Sequence, residues 1–541
     1  MLPSPSSSPA APHRGQRETL HNQTNTYACS TPTSKRQIKA DFSLPTPPKF
    51  DDASKRVRSS DGPSSRKRIR LSLHTDALSE ESEGESVDGD VKMEGIEMLR
   101  FRARTSVPYC RNWQARISSH TFGRGLPQPN TRRILRSFVS SNKADLFKCE
   151  ARETGYALTI PYGCAYSHGA KHGGEPLLAV STEAGSVHVL NTRNRSDWES
   201  ESSRITIHAH ENGIFDVKWN KLDTLLATAS GDQSTRILCP HTSSCLHTLL
   251  GHSSTVKCVA WDPNHQDLLS TGGRDGSICL WDLRVAESRN GDILSPIFKI
   301  DNAQRDANER KPRGRKPKMQ PILPSITSIL YPESEPYQLI SSGSADGKLK
   351  YWDLRQCHAP DSPDSKHPAM QYLCSSPSDP TTSHGSGRSR GITSIAEGHG
   401  PSAGIVFAVG TDSRIHTYTL PSLTPQLTNY TKETMSTTSF YIRTAISPCG
   451  RWLACGGTGP KGKAFLYDVG NAARPSQLQS TVEGVELTGQ LGEVGAVDWA
   501  EDMLATCADD GTVRVWRANL EVERQCREQP EEKHWDWCWA E

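Results

Sequence analysis

The sequence predicts an all-β protein, a seven-bladed β-propeller with a disordered N-terminal arm and two disordered inter-blade inserts. Three observations lead there: a repeat with a period near 43 residues, short β-branched runs between Gly/Asp turns in every repeat, and a different composition outside the repeats. Of 541 residues only 34% are hydrophobic, beside 41 Gly and 35 Pro, so part of the chain cannot bury enough apolar surface to fold. Lys+Arg (63) and Asp+Glu (61) nearly cancel, so any electrostatic function has to come from local charge blocks. No apolar run approaches the roughly 18 residues of a transmembrane helix, and the opening MLPSPSSSPAAPHRGQ lacks the apolar core of an export signal. The 15 Cys include no C-x-x-C pair, which reads as reduced thiols in a cytosolic or nuclear protein.

In chain order, residues 1–98 form a Ser/Pro-rich arm without apolar periodicity. Its basic clusters, Lys55-Arg56 and Arg66-Lys67-Arg68 with Arg70, have the spacing of a two-part nuclear import signal, or of a solvated basic patch. From Asp76 to Glu97 the sign reverses, with Lys92 alone opposing the acids. Ser79, Ser82 and Ser86 in that block, and Thr46 before Pro47, resemble kinase sites where a phosphate would oppose the basic clusters. Residues 99–154 lead into the propeller. They are arginine-rich, carry no acid between Met98 and Asp145, and interleave Phe101, Tyr109, Trp113, Phe122 and Phe138. Such a segment either grips a polyanion or wraps the following domain with its aromatics tucked inside.

The repeats occupy 155–520. His210–Trp219 and His252–Trp261 each place His and Trp nine residues apart, and the turn aspartates Asp232 and Asp275 are 43 apart. Asp275, Asp346 and Asp510 are each followed six positions later by Trp281, Trp352 and Trp516. Degenerate copies at 177–190, 405–420 and 452–469 complete seven units. Setting aside polar inserts at 285–321 and 356–390 leaves about 42 residues per unit, the length of a four-stranded blade. These residues resemble WD repeats. In that pattern His210 and His252 bond the turn aspartate and a strand Ser/Thr, and the tryptophans are core. Blades stack on neighbours, so a single unit has no stability of its own. An aromatic tail, 521–541, ends in HWDWCWAE, which covers the propeller edge or meets a partner.

Catalytic and cofactor chemistry finds no residue set. Gly457–Ala464 nearly spells a phosphate-binding loop, but Ala464 stands where Ser or Thr must bind Mg²⁺, and the motif joins two strands. GSGRSRG (385–391) lacks dinucleotide-loop spacing, and Cys357, His358, His367 and Cys374 are too dispersed for zinc. The expectation is a non-catalytic binding protein with no cofactor, no metal site and no membrane contact.

Two motifs point to a partner. The third and fourth units end in Trp281-Asp282-Leu283-Arg284 and Trp352-Asp353-Leu354-Arg355. Packing accounts for Trp and Asp but not for the arginine. Equal positions on adjacent blades put Arg284 and Arg355 on one sector of one face, as charge-assisted donors to a single surface. The doublet resembles the substrate receptors of cullin-4 RING ubiquitin ligases, in which these positions (Trp281, Asp282, Arg284, Trp352, Asp353, Arg355) dock on the damaged-DNA-binding protein adaptor. Ile160–Ser167, Ala209–Asp216, Ala229–Thr235 and Thr271–Gly276 are similar to the denticleless family, over roughly 155–520. That resemblance implies a nuclear receptor recognising degron substrates bound to the PCNA sliding clamp, such as the replication licensing factor, for ubiquitin-dependent degradation. Animal members carry a long segment after the propeller with its own clamp-binding motif. Here the extension is N-terminal and no Q-x-x-[ILM]-x-x-aromatic-aromatic run occurs, an arrangement that suggests a fungal-type member.

Within the first insert, Lys311-Pro-Arg313-Gly314-Arg315-Lys316-Pro-Lys318 resembles an AT-hook. An Arg-Gly-Arg core is narrow enough for the minor groove, although Lys316 stands where the fuller motif has Pro, which favours phosphate contact without sequence preference. A second import signal or a solvated loop fits the same residues. The competing reading of the whole chain is a chromatin- or DNA-associated WD scaffold outside any ubiquitin ligase.

Overall fold

The computed structural model describes residues 131–151, 157–196, 198–285, 293–305, 324–358, 369–384, 387–474, 480–528 and 538–540. They form seven sheets, antiparallel but for one added parallel strand in each of two of them. Blade one runs Pro161–Tyr166, Leu177–Thr182, Ser186–Asn191, Ile205–His208. Blade two runs Ile214–Trp219, Leu226–Ser230, Ser234–Cys239, Ser244–Leu250. Blade three runs Val256–Trp261, Leu268–Gly273, Ile278–Asp282, Phe298–Ile300. Blade four runs Ile326–Leu330, Gln338–Gly343, Lys350–His358, Ala369–Ser375. Blade five runs Ile392–Glu397, Ile405–Gly410, Arg414–Thr419, Thr424–Thr431. Blade six runs Thr444–Ile446, Trp452–Cys455, Lys461–Asp468, Val485–Leu491.

Blade seven closes the ring with strands from both ends of the described chain. Val494–Trp499, Met503–Ala508 and Thr512–Ala518 are joined at the outer edge by Phe138–Ser140 and Leu146–Lys148, and Phe138–Ser140 pairs in turn with Cys538–Trp539. Phe138 and Phe147 are buried, so this part of the arginine-rich segment wraps the domain. Each blade–blade interface has its own apolar core. Leu178 and Val180 of blade one meet Ala505 and Val515 of blade seven, and the succession continues round to Trp452 of blade six against Trp499 and Trp516. A ring of interlocked cores explains why both sides of every blade are apolar.

Three expected boundaries move. The insert placed at 285–321 contains the outer strand of blade three, Phe298–Ile300, and the pair Ile293–Leu294, which adds in parallel to blade two. The insert placed at 356–390 contains the outer strand of blade four, Ala369–Ser375. The propeller also begins before residue 155, and the tail begins as a helix, Leu520–Glu528. An outer strand packs on one face only, so its composition can be as polar as a loop.

Four-stranded alternation sends the blade-to-blade links and the second-to-third turns to one end of the strands, here the mouth. The other two connections lie at the far end. The near-match to a phosphate loop resolves as strand: Gly462 and Lys463 pair with Gln490 and Thr488. Among the described residues no helix is long and apolar enough to cross a membrane.

Candidate functional site

The far end of blades three and four is built from the inside out. Trp281 is buried and its indole N–H donates to Thr271 Oγ1 at 2.9 Å. Thr271 bonds His252 Nε2 at 2.8 Å, and His252 Nδ1 faces both Asp275 oxygens at 3.2 Å. Burial works against ionisation of Asp275, yet bonds with His252, Ser253 and Ser277 hold its carboxyl well below the usual carboxylate range. His210 repeats the arrangement with Asp232 at 2.8 Å and Thr228 at 2.7 Å. In blade four Trp352 donates to Ser341 at 2.9 Å, and Gln304 takes the histidine's place. Gln490 does the same below Trp516. These networks fix the third strand, and with it the residues that follow the tryptophan.

Asp282 and Asp353 come next, largely buried, and each clamps its arginine by two side-chain bonds. Arg284 donates from Nε to Asp282 Oδ1 at 2.9 Å and from Nη2 to Oδ2 at 2.7 Å. Arg355 does so to Asp353 at 2.9 and 3.0 Å. The Arg284 and Arg355 side chains remain 65% and 58% exposed, against 11% and 6% for the aspartates. The Arg284 bond holds the Asp282 carboxyl down, and both guanidinium groups are raised by their aspartates. Among the described residues the Nη1 donors of both arginines meet no side-chain acceptor and are left for a partner.

The backbone around the two motifs matches. Leu283 N donates to Asp267 O at 2.9 Å and Leu354 N to Tyr337 O at 2.8 Å. Arg355 lies 5.9 Å over the Tyr337 ring, and Tyr337 packs on His265 of blade three with centroids 4.7 Å apart. The two arginines therefore belong to one sector of the far end.

The mouth is organised by a different device. A register shift interrupts the start of the innermost strand in blades one to five and seven, passing over Tyr162, Phe215, Lys257, Thr327, Thr393 and Gly495. Arg443, before Thr444, holds the matching place in blade six. Such a bulge leaves one residue out of the ladder and re-aims its side chain. Tyr162, Phe215 and Tyr441 lie with ring centroids 5.4–5.7 Å apart and planes within 17°. The Lys257 ammonium sits 4.0 Å from the Phe215 centroid and 5.1 Å from that of Tyr441. Arg443 donates to the carbonyls of Lys257 at 2.9 Å, Phe215 at 3.3 Å and Thr327 at 3.4 Å, tying four blades together.

The repeat architecture is matched by known proteins. The WD domain, G-beta repeat family matches residues 201–237, 243–282, 323–353 and 483–517. Each match ends in the third strand of a blade, and the three degenerate units lie outside them. The Denticleless protein homolog of Danio rerio is 29% identical over 419 residues, covering 75% of this chain and 60% of that protein. The Cell division cycle protein cdt2 of Schizosaccharomyces pombe is 33% identical over 362 residues, covering 64% of this chain and 67% of that protein. The chain belongs to the denticleless family. The Homo sapiens member is 28% identical over 385 residues, covering 69% of this chain and 48% of that protein, so the chain spans about half to two thirds of the length of these relatives. A chain of a solved mitotic checkpoint complex aligns at 18% identity and a TM-score of 0.46, over 73% of this chain and 96% of that one. That likeness is too slight to add to the fold.

Within this denticleless-family chain the structure brings Trp281, Asp282, Arg284, Trp352, Asp353 and Arg355 together at one end. The import clusters (Lys55, Arg56, Arg66, Lys67, Arg68, Arg70) and the AT-hook-like run (Lys311, Arg313, Gly314, Arg315, Lys316, Lys318) lie outside the described residues. The latter's flanks, ending at Arg305 and resuming at Pro324, belong to the mouth-side link between blades three and four. Among the described residues no group of three or more His, Cys, Asp or Glu could hold a metal. Sequence reading missed Lys257, Arg443 and the three rings. For all but Tyr441, which precedes Ile442, the signal is the position after the apolar residue at the head of each innermost strand, as in Ile214-Phe215, Val256-Lys257 and Ile442-Arg443.

Proposed function

We propose that this chain is the substrate-recognition subunit of a nuclear cullin-4 RING ubiquitin ligase, docking its far end on the damaged-DNA-binding protein adaptor and presenting PCNA-bound replication and cell-cycle proteins for degradation. The observation that carries the reading is the identical clamp at Arg284 and Arg355. Two exposed guanidinium groups are held rigid by largely buried aspartates, so a partner's acceptors meet donors already ordered. Leu222 and Val285, 56% and 53% exposed, supply apolar area at the same end, as the centre of a docking patch needs. Truncating either arginine, once its contact is desolvated in the complex, costs about 2–5 kcal/mol of binding. Replacing both, Arg284→Ala with Arg355→Ala, is expected to abolish co-purification of the adaptor while the circular dichroism and melting temperature stay close to the parent. Adaptor recovery at the parent level from the double variant would refute the docking.

A second reading, direct DNA contact, is favoured by a groove of about 600 Å³ between Arg132–Arg136 and Leu520–Glu528 that gathers Arg132, Arg133, Arg136, Arg524 and Arg527 with Glu523 and Glu528. A pull-down from nuclease-treated extract separates the two. Adaptor retained without DNA supports the receptor, and loss of every partner with the DNA supports a chromatin scaffold.

A further inference from the structure

Lys257 differs from the other cations of the inner ring. Arg443 spends its donors on three carbonyls, whereas the Lys257 ammonium has the faces of Phe215 and Tyr441 and, among the described residues, no carboxylate partner. Burial, with Arg443 and Arg274 nearby, pushes its amine down to about 8. An ammonium in that setting lacks the counter-charge that a buried cation ordinarily carries. At the same end of the strands lies an open groove of about 750 Å³ beside blades four and five, lined by Ser344, Arg388, Arg390, Thr438 and Phe440. The described residues on either side of the basic run, up to Arg305 and from Pro324, lie at the same end, and Ser325 Oγ donates to the Arg274 carbonyl at 3.5 Å.

We propose that the channel mouth is a subsite for a single acidic side chain of an extended peptide, its carboxylate paired with Lys257 and its neighbours lying in the Arg388–Arg390–Phe440 groove. The rings form an apolar collar for the methylenes of an Asp or Glu, and they exclude water from the pair. A nucleic acid suits the mouth less well. Glu183 stands beside Tyr162, and Glu493 and Asp509 line the blade-seven side. Those carboxylates repel a continuous polyanion, while one carboxylate entering from blades three to five reaches Lys257 without crossing them. The proposal deepens the receptor reading, since it names the chemistry of the segment such a receptor takes.

The test uses the full chain and a displayed library of random decapeptides. Selection on the parent protein is expected to enrich peptides with one fixed Asp or Glu. Selection on Lys257→Met, which keeps the aliphatic stem, is expected to lose that enrichment at least tenfold, with Lys257→Arg restoring it. The Arg284→Ala, Arg355→Ala protein is expected to select the same peptides as the parent, so failure of adaptor docking and failure of this subsite are read separately. Should Lys257→Met misfold, the parent is probed instead by competitive amine labelling. Bound acidic peptide is expected to shield Lys257 and move its labelling profile to higher pH. Enrichment of peptides without an acid, equal selection by Lys257→Met, no enrichment, an unchanged labelling profile, or displacement of the peptide by a twenty-nucleotide single strand would each overturn the proposal.

Discussion

Lys257 and Arg284 belong to the same blade and stand at opposite ends of it, and the surroundings treat the two charges in contrary ways. Arg284 is exposed and carries its own carboxylate, so its charge is stabilised and its geometry set before any partner arrives. Lys257 is half-buried against two rings with, among the described residues, no carboxylate partner, and its charged form is disfavoured. A ring face returns only part of the lost hydration, on the order of 1–2 kcal/mol. The far end thus offers ordered donors at low cost, whereas the mouth holds an electrostatic deficit that an incoming anion can relieve. One end is arranged for a fixed surface and the other for a small charged group.

Substitutions that break this contrast differ in size. The largest effect is expected for Arg443→Met, which releases three backbone carbonyls from three other blades. A loss of about 3 kcal/mol in a urea titration is expected, and a change below about 0.5 kcal/mol would show that the mouth does not depend on its arginine. Next is Asp275→Asn, at the mouth end of the chain of bonds that reaches Trp281, with an expected loss of about 1–3 kcal/mol. Because the folded state depresses the Asp275 carboxyl, its contribution is present above the ordinary value of 3.8 and lost as pH falls below it. The parent should lose stability toward acid more steeply than the Asn variant, and parallel acid profiles would count against the network. The paired change Arg284→Ala with Arg355→Ala is expected to cost less than about 1 kcal/mol in the isolated chain, since exposed clamps stabilise little.

The pH dependence at Lys257 sharpens the contrast most. Folding lowers the Lys257 amine from 10.5 to about 8, so between those values the unfolded chain holds a proton that the native chain has released. Stability therefore rises with pH across that window. Chemical denaturation of the parent from pH 8 to 10.5 should show the rise, and Lys257→Met should flatten it. An identical slope in both proteins would mean that Lys257 is not desolvated.

The legible parts of the molecule are those written in local chemistry. His252, Asp275, Thr271 and Trp281 were readable because one hydrogen-bonded chain demands those residue types at fixed offsets, and blade two repeats it with His210, Asp232 and Thr228. Gln304 and Gln490 do the histidine's work but match no repeat pattern, since an amide can serve the same Ser or Thr from a different backbone approach. The outer strands Phe298–Ile300 and Ala369–Ser375 were hidden because their solvent face reads as loop. The closing strands Phe138–Ser140 and Leu146–Lys148 were hidden because their partner, Thr512–Ala518, lies more than 350 residues away in the chain.

The sequence by itself determined the seven-fold repeat, the buried tryptophans and the matched arginines, because each rests on contacts within one blade that recur at a constant spacing. Only the tertiary structure decided how the ring closes and that Tyr162, Phe215, Lys257 and Arg443 converge on one channel. Tyr162, Phe215 and Lys257 are brought there by a one-residue bulge at the head of three successive innermost strands, Arg443 comes from the matching place in blade six, and their contacts pass between blades rather than along any of them.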